Sequence, residues 1–380
     1  MKIIVLGAGL VGGPMAADLA KNKEFEVSAV DRDPAALKKI PSNLGITCIE
    51  KDLSKPEIVK EVVKDCDFVI SAVPGFLGYQ TLKAVIEAKK NVVDIAFMPE
   101  DPSDLDSIAY DNNVTAIVDA GVAPGMSNIL MGYAHHQLDK TTDAIIYVGG
   151  LPEQRTWPWE YKAVFSPIDV VEEYTRDARF IVNGEIVVKP ALSEPELVEL
   201  PELGTLEAFL SDGLRSLIYT IGATNLKEKT LRYPGHVDKI KVLKASGFLS
   251  KDPIQVNNQT IRPIDFTTNL LFKSWQLNEK EHDFTVMKME VTGIKDQKKL
   301  RFTFDMFDRY DVANETHSMA RTTGFTTTSI VRLLKRGIFK EKGLIFPEFL
   351  GMDENFVLAL IDELKLKNIH YRMKVEEIQD

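Results

Sequence analysis

The chain has 380 residues, of which 44% are hydrophobic, and carries a formal net charge of −10. This length suits two domains, and the acidic balance argues against nucleic acid as a partner. No apolar run is long enough to span a membrane, no signal peptide precedes the first strand, and the two cysteines do not form a disulfide framework. We therefore expect a cytoplasmic protein without membrane contact.

Strand and helix patterns alternate over the first 120 residues. Predicted strands cover 3–6, 25–30, 45–49, 67–72, 91–95 and 115–118, and predicted helices cover 11–21, 34–40, 54–64 and 81–88. Alternation of this kind indicates a parallel sheet with right-handed crossovers.

After Asp119 the pattern changes to strand pairs with a few helices. The main predicted elements are a helix over 128–138, a strand over 144–148, a hairpin around Asn183-Gly184, an antiparallel pair over 284–291 and 300–307, a helix over 326–335, and a last helix capped by Asp353. The predicted fold class is α/β. A Rossmann doubly wound parallel sheet occupies 1–122, and the C-terminal helices of 318–380 pack back on it. An α+β domain with a mixed sheet, for substrate binding and dimerisation, occupies 123–317.

The first strand ends in the glycine pattern Gly7-x-Gly9-x-x-Gly12, and a helix follows directly. In a dinucleotide site the first glycine makes a tight turn, the second lets the backbone approach a pyrophosphate, and the third lets the helix lie close to the strand. The helix start then presents unpaired amides to the phosphates. We predict that the cofactor contacts this turn through Gly7, Gly9, Leu10, Val11 and Gly12.

An acidic residue, Asp31, ends the second predicted strand. A carboxylate there binds the ribose hydroxyls of NAD and repels a 2′-phosphate, so NAD is the expected cofactor. The neighbouring Arg32 leaves NADP open, because an arginine pairs with a 2′-phosphate. Asp52, after the third strand, is a further predicted cofactor contact.

Ligands of open α/β sheets bind beyond the carboxyl ends of the strands. Ala72 ends the fourth predicted strand, and with Val73 and Pro74 it belongs to an uncharged segment that suits a nicotinamide. Asp94 and Asp119 end the fifth and sixth strands. Either aspartate is a candidate catalytic residue that holds a substrate ammonium, or a turn former, and Asp94 is also a candidate cofactor contact.

Five segments together resemble the saccharopine dehydrogenase-like family over nearly the whole chain, and look most like its L-lysine 6-dehydrogenase branch. They are Ser71-Ala-Val-Pro-Gly-Phe-Leu-Gly78, Asp119-Ala-Gly-Val-Ala-Pro-Gly-Met-Ser-Asn128, Tyr147-Val-Gly-Gly-Leu-Pro152, Leu231-Arg-Tyr-Pro-Gly-His236 and Met319-Ala-Arg-Thr-Thr-Gly324. Saccharopine reductases of the superfamily typically carry an acidic Gly-Leu-Asp-Pro-Gly-Ile-Asp-His where this chain has 121–128, and a tyrosine where it has Phe97. Both departures favour the lysine branch.

The resemblance implies oxidative deamination of the ε-amine of lysine to a semialdehyde that cyclises, with NAD(P) as hydride acceptor. This chemistry requires a general base, for which His236 is the first candidate; the alternative is a structural histidine. Arg215 and Arg232 are candidates for the substrate carboxylate, or else ordinary surface arginines. Tyr233 and Phe97 complete the predicted substrate contacts, although Tyr233 could merely pack.

Two other functions stay open. One is a saccharopine or carboxynorspermidine-type reductase, which joins an amine to a carbonyl compound; the other is a catalytically silent dinucleotide-sensing protein. No spacing of cysteine, histidine or acidic residues predicts a metal site. Trp157, Trp159 and Tyr161 form a predicted core or dimer-interface patch, and we expect a homodimer with an amino-acid substrate.

Overall fold

The computed structural model of the chain describes residues 1–201, 203–278 and 280–379. In chain order, the strands of these residues are β1 (Lys2–Leu6), β2 (Glu26–Asp31), β3 (Thr47–Glu50), β4 (Phe68–Ser71), β5 (Asn91–Asp94), β6 (Thr115–Ile117), β7 (Lys140–Pro152), β8 (Ala178–Val182), β9 (Glu185–Lys189), β10 (Glu196–Leu200), β11 (Gly204–Leu210), β12 (Asn225–Arg232), β13 (Ile254–Val256), β14 (Gln259–Ile261), β15 (Asp283–Lys295), β16 (Lys298–Arg309), β17 (Gly343–Ile345) and β18 (Tyr371–Glu377).

The helices of the same residues are α1 (Gly12–Ala20), α2 (Pro34–Lys38), α3 (Pro56–Val63), α4 (Gly75–Glu87), α5 (Asp106–Asp111), α6 (Met126–Gln137), α7 (Pro167–Thr175), α8 (Leu217–Thr220), α9 (His236–Ala245), α10 (Pro263–Trp275), α11 (Ser318–Lys335), α12 (Pro347–Gly351) and α13 (Glu354–Lys365). Short 3-10 helices lie at Ser42–Leu44 and Pro102–Leu105. The predicted helix start at Ser54 is wrong, since α3 begins at Pro56 and its N-cap residue is Lys55.

The chain divides into two compact units, and the first comprises Met1–Asp139 and Met319–Tyr371. Among its described residues, one parallel sheet has the order β17-β6-β5-β4-β1-β2-β3. Apart from β17 this is the Rossmann order, which confirms the predicted fold class. The seventh strand, β17, comes from the C-terminal part of the chain and pairs with β6. Its three residues were too few to show a strand pattern in the sequence.

The first unit extends past the predicted boundary at 122, because α6 packs tightly against α12. A Cβ on Gly132 would lie 2.0 Å from the carbonyl oxygen of Glu348, and one on Gly351 would lie 2.0 Å from that of Ile129. Two glycines thus permit a close helix contact that draws α6 into this unit. The predicted C-terminal boundary also needs correction, since β18 lies beyond this unit and joins the second sheet.

A buried aspartate joins α1 to the C-terminal helix α11. Asp18 accepts hydrogen bonds from Thr328 Oγ1 at 2.6 Å, Arg332 Nη1 at 2.8 Å and Lys367 Nζ at 2.5 Å. Burial acts to raise the pKa of Asp18, but the charges of Arg332 and Lys367 and these hydrogen bonds lower it overall. The helix that follows the glycine turn is therefore anchored by ionic contacts near its C-terminal end.

The second unit comprises Lys140–Ser318 and the chain from Arg372 onward. Its described strands form a mixed sheet of order β10-β11-β12-β7-β15-β16-β18, with β8 pairing with β12 and β9. The predicted hairpin between β8 and β9 is present, and Asn183 and Gly184 both have positive φ. Two positive φ values in a two-residue loop are the geometry that Asn-Gly favours. The predicted α+β class with a mixed sheet is confirmed.

Candidate functional site

The glycine turn after β1 has the geometry of a dinucleotide cradle. Gly7 has φ +94°, and a Cβ there would lie 2.5 Å from the carbonyl oxygen of Ala72. A Cβ on Gly12 would lie 2.0 Å from the Gly7 carbonyl oxygen, whereas one on Gly9 would meet no described atom within 4 Å. Gly7 and Gly12 are thus required by the fold, and Gly9 leaves an open backbone surface for a pyrophosphate.

Other predicted cofactor contacts lie around this turn. Leu10 is 43% exposed and Val11 is half-buried at the residue that precedes α1. No described side chain caps that helix start, so its first amides suit an anion. The Ala72 amide donates to the Leu6 carbonyl oxygen at 2.8 Å, which brings the end of β4 beside the turn. Val73 and Pro74 follow Ala72 and lead into α4.

The carboxylate of Asp31 faces the glycine turn. Its Oδ2 accepts the Ala8 amide hydrogen at 2.7 Å, and its Oδ1 accepts that of Asp33 at 2.9 Å. These hydrogen bonds orient the carboxylate and leave each oxygen a second lone pair for a ribose hydroxyl. Arg32 and Asp52 are exposed. A backbone hydrogen bond from Ser54 lowers the pKa of Asp52, and the charge of Arg32 adds to the effect.

The two strand-end aspartates have turn geometry. Asp94 is fully buried, and its Oδ2 accepts the Ala96 amide hydrogen at 3.1 Å. Asp119 is buried as well and has φ +50°, in the left-handed region. These observations fit the turn-forming alternative for both residues. Phe97 is half-buried in the segment after β5. A contact of any of the three with substrate stays a prediction.

The uncharged segment 121–128 is built into the interior of the first unit. Ser127 and Asn128 are both 0% exposed. Asn128 Oδ1 accepts hydrogen bonds from the Gly125 amide at 3.2 Å and from Ser127 Oγ at 3.1 Å. Its amide nitrogen donates to Glu348 Oε2 at 3.4 Å. The polar groups of both side chains therefore stabilise the start of α6.

In the second unit, strand β12 carries a polar face toward helix α7. Alternate residues of a strand share a face, so Glu228, Thr230 and Arg232 lie side by side. All three are buried, as are three further charged residues of the region: Asp169, Asp212 and Arg215. We call the buried charged residues Asp169, Asp212, Arg215, Glu228 and Arg232 the buried charge cluster. Surface arginines were the alternative prediction for Arg215 and Arg232, and the structure contradicts it.

The guanidinium of Arg232 is fully engaged within its own unit. Nη2 donates to Glu173 Oε2 at 2.6 Å, Nε to the Tyr174 hydroxyl at 3.2 Å, and Nη1 to the Leu231 carbonyl oxygen at 2.9 Å. The Arg232 Cζ also lies 4.5 Å from the ring centre of Tyr161. With every nitrogen of the group occupied, Arg232 is a poor candidate for the substrate carboxylate.

His236 is 1% exposed at the first residue of α9. Its Nε2 lies 3.0 Å from the Tyr174 hydroxyl, and its Nδ1 lies 2.9 Å from the Trp159 carbonyl oxygen. A carbonyl oxygen only accepts, so Nδ1 carries the proton. Tyr174 receives a hydrogen bond from Arg232 and donates its own hydrogen to Nε2.

This arrangement favours the structural alternative for His236 over the predicted role of general base, which stays a prediction. Burial, with the charge of Arg232, lowers the pKa of His236 to about 3, and both ring nitrogens are occupied. Efficient bases have a pKa near the working pH, and a buried neutral imidazole of low pKa does not meet that need. The structural-histidine alternative fits the geometry.

A six-residue segment between β11 and α8, residues 211–216, folds over Glu228. Asp212 forms a two-pronged ion pair with Arg179, at 2.8 Å to Nε and 3.0 Å to Nη2. A Cβ on Gly213 would lie 1.8 Å from Glu228 Oε1, so only glycine fits beside that carboxyl group. Arg215 has φ +54°, a backbone conformation that residues other than glycine rarely adopt.

Glu228 differs from the other acidic residues of the buried charge cluster in the hydrogen bonding and the pKa of its carboxyl group. It is 4% exposed, and no described residue forms a hydrogen bond with its Oε2. Burial raises its pKa to about 8, the charges of Glu173 and Asp212 add to the rise, and Arg215 opposes it. A carboxyl group of this kind exchanges its proton near neutral pH.

Sequence reasoning missed Glu228 and its neighbours Glu173 and Tyr174. The available signal was the alternation of Glu228, Thr230 and Arg232, which places three polar side chains on one face of β12. A charged face on an interior strand is rare without a function or a partner. The partners come from α7 and from the segment after β11, and this proximity was not evident from spacing.

The remaining predicted residues have packing roles. Tyr233 donates to the Pro152 carbonyl oxygen at 2.9 Å. Trp159 and Tyr161 pack on Trp275, with ring centres 6.2 Å and 5.4 Å apart, while Trp157 remains 80% exposed. The core alternative therefore holds for Tyr161 and Trp159, and for Trp157 the dimer-interface alternative stays a prediction.

No group of acidic, histidine or cysteine side chains in the described ranges could hold a metal ion. A search of the same residues finds no helix with the length and hydrophobicity needed to cross a bilayer.

Comparison with known proteins supports a single family. The family description "Saccharopine dehydrogenase NADP binding domain" matches residues 3–117, and "Saccharopine dehydrogenase C-terminal domain" matches 121–369. The chain is 28% identical over 196 residues to a mitochondrial alpha-aminoadipic semialdehyde synthase of Rattus norvegicus, covering 49% of this chain and 21% of that protein. This chain therefore spans only part of the length of that relative.

A second relative is similar in length. Carboxyaminopropylagmatine dehydrogenase of a Synechocystis strain is 22% identical over 391 residues, covering 96% of both chains. Among solved structures, apo histidine-tagged saccharopine dehydrogenase (L-Glu forming) from Saccharomyces cerevisiae superposes with a TM-score of 0.80 at 20% identity, over 100% of both chains. That likeness shows the same fold. The glycine cradle with its oriented Asp31 fits NAD or NADP as the cofactor, and the chain belongs to the saccharopine dehydrogenase family.

Proposed function

We propose that the protein catalyses the NAD(P)-dependent oxidative deamination of the ε-amine of L-lysine. The products are ammonia and 2-aminoadipate 6-semialdehyde, which cyclises to piperideine-6-carboxylate. Membership of a dehydrogenase family and the dinucleotide cradle support the oxidoreductase class.

The observation that carries the choice of lysine is the interior position of Ser127 and Asn128. Reductases that the chain resembles have an acidic residue and a histidine there. Here both side chains are buried, and their polar atoms are bonded to the start of α6 and to Glu348. With no charged group at these two positions, a substrate that carries one carboxylate and two amines is favoured over the more highly charged saccharopine.

Different residues of the chain would bind the cofactor and the substrate. Amides at the start of α1 and the open backbone at Gly9 would bind the pyrophosphate, and Asp31 would bind the adenosine ribose. When bound, the oxidised nicotinamide accepts a hydride from the carbon that carries the amine. Arg215 is proposed as a ligand of the substrate carboxylate, and Arg232 is held by Glu173 and Tyr174.

One assay tests the proposal. Purified protein is mixed with L-lysine and either NAD or NADP, and absorbance of the reduced cofactor is followed. Reduction with lysine supports the proposal, and the absence of reduction with either cofactor contradicts it.

A second candidate function is a reductive condensation of an amine with a carbonyl compound. The specific support is the Synechocystis dehydrogenase, which matches over 96% of both chains. Oxidation of NADPH with lysine plus 2-oxoglutarate or a semialdehyde, without reduction of NAD(P) by lysine alone, would favour this candidate. Cofactor binding without turnover in every mixture would favour a dinucleotide sensor.

We further propose that the protein is a homodimer. Trp157 supports this, because a large aromatic side chain that is 80% exposed is typical of an interface. Sedimentation of the protein and of Trp157→Ser gives the test: the wild type is expected as a dimer, and a monomeric wild type contradicts the proposal.

A further inference from the structure

We propose that the carboxyl group of Glu228 receives the amino group of the substrate and accepts a proton from it. The inference deepens the proposed function and rests on it, since it names the residue that recognises the amine. It gives to Glu228 the role that the sequence suggested for His236.

The first support is the position of Glu228 in the buried charge cluster. Two acidic residues around it have cationic partners: Asp212 is paired with Arg179, and Glu173 with Arg232. Oε2 of Glu228 has no hydrogen-bond partner among the described residues, although the residue is only 4% exposed. A buried polar atom without a partner is costly, and a ligand that supplies the missing hydrogen bond removes that cost.

The second support is the charge that faces Glu228. Glu173 of α7 and Asp212 contribute negative charge, and Arg215 contributes positive charge. Arg179 pairs with Asp212 and Arg232 pairs with Glu173, so the negative charge that a bound cation would neutralise is that of the Glu228 carboxylate itself. An ammonium group suits that carboxylate, since it is compact and carries three donors.

The third support is the backbone that shapes the site. Gly213 leaves no room for a side chain beside Oε1, and Arg215, two residues later in the same segment, has a left-handed conformation. Ser216 Oγ, which follows, is also buried without a hydrogen-bond partner in the described part of the chain. Strained backbone beside unsatisfied polar atoms is characteristic of binding sites.

The proton balance follows from the chemistry of the two groups. At neutral pH the empty site holds Glu228 as a neutral carboxyl group, and the substrate arrives as an ammonium ion. Binding releases the Glu228 proton to solvent, and an ammonium–carboxylate pair forms. The carboxylate then takes one proton from the ammonium, which leaves the neutral amine that is needed before a hydride can depart from the adjacent carbon.

The test is calorimetric titration of L-lysine into the protein saturated with reduced cofactor, which prevents turnover. Titrations in two buffers of different ionisation enthalpy count the protons exchanged on binding. The wild type is expected to release about one proton per lysine at pH 7, and the release should fall toward zero above about pH 9 as Glu228 becomes ionised beforehand.

Glu228→Gln removes the titrating group with little change in shape, and Glu185→Gln, on the exposed hairpin strand β9, is the matched control. Glu228→Gln is expected to bind lysine about 10- to 100-fold more weakly, because a charge-assisted hydrogen bond is lost, and to release no proton. Its affinity for reduced cofactor should be unchanged. The control should behave as the wild type.

Two results overturn the inference. One is lysine binding by the wild type without proton release at pH 7, a measurement that needs no variant. The other is a Glu228→Gln protein with wild-type affinity and proton release. If instead the wild type binds and oxidises no amine, the proposed function falls, and this inference falls with it.

Discussion

Glu228→Gln should make the second unit more stable at alkaline pH. The pKa of Glu228 is about 8 in the folded protein and has an ordinary value of 4.5 in an unfolded chain. Between these values the folded state retains a proton that the unfolded state has lost, so the stability of the wild type falls as pH rises. The difference corresponds to about 5 kcal/mol, an upper bound since water penetration and relaxation reduce it. Glutamine has no proton to lose and avoids this cost.

Tryptophan fluorescence during urea unfolding measures the stability of the second unit. The chain has 3 tryptophans, at 157, 159 and 275, and all lie in the second unit. Relative to wild type, Glu228→Gln should gain up to about 5 kcal/mol between pH 5 and pH 9, while Glu185→Gln should gain nothing. A stability difference that does not change with pH, or a Glu228→Gln protein that is less stable than wild type at pH 9, would refute the reasoning.

Three further predictions concern the first unit. Gly12→Ala should lower both the stability, by about 1–3 kcal/mol, and the cofactor affinity, whereas Gly9→Ala should lower only the affinity. Thermal unfolding measures the stability and cofactor fluorescence measures the affinity. Equal effects of the two substitutions would contradict the geometry. Asp18→Asn should lower the free energy of unfolding by about 3 kcal/mol, because Arg332 loses a buried ionic partner. This loss should become smaller as the pH falls, since the wild-type Asp18 has a lowered pKa and its stabilising charge is lost in acid. Asp31→Ser should weaken NAD binding by about ten-fold and favour NADP, which titration of both cofactors would show.

The first unit was predictable because its signals are local. Strand ends, glycine spacing and helix caps depend on neighbours in sequence, and Asp353 does cap α13 through the amides of Asn355 and Phe356. The errors there have long-range causes. Helix α4 begins at Gly75 rather than at 81, and Gly78 within it packs closely against Ala96.

The candidate residues of the second unit show the opposite case. His236 and Arg232 have the chemistry of a base and a carboxylate ligand, and sequence alone could not exclude either role. Burial beside Tyr174 and Glu173 occupies their polar atoms and lowers the pKa of His236 to about 3. The type of a side chain determines which reactions it can take part in. The hydrogen-bond partners and the exposure of that side chain in the folded protein decide whether it can do so.

The pattern of residues along the chain was therefore enough for the Rossmann order, the dinucleotide turn and the mixed second sheet, since each depends on hydrophobic period and on backbone conformations that few residue types allow. Which acidic residue has a carboxyl oxygen without a hydrogen-bond partner in the described part of the chain was decided only by the folded structure. Glu228 became distinctive only when α7 and the segment after β11 placed Glu173, Asp212 and Gly213 around it. Electrostatic cost depends on distance and on exclusion of water, and both are set by packing between residues far apart in sequence.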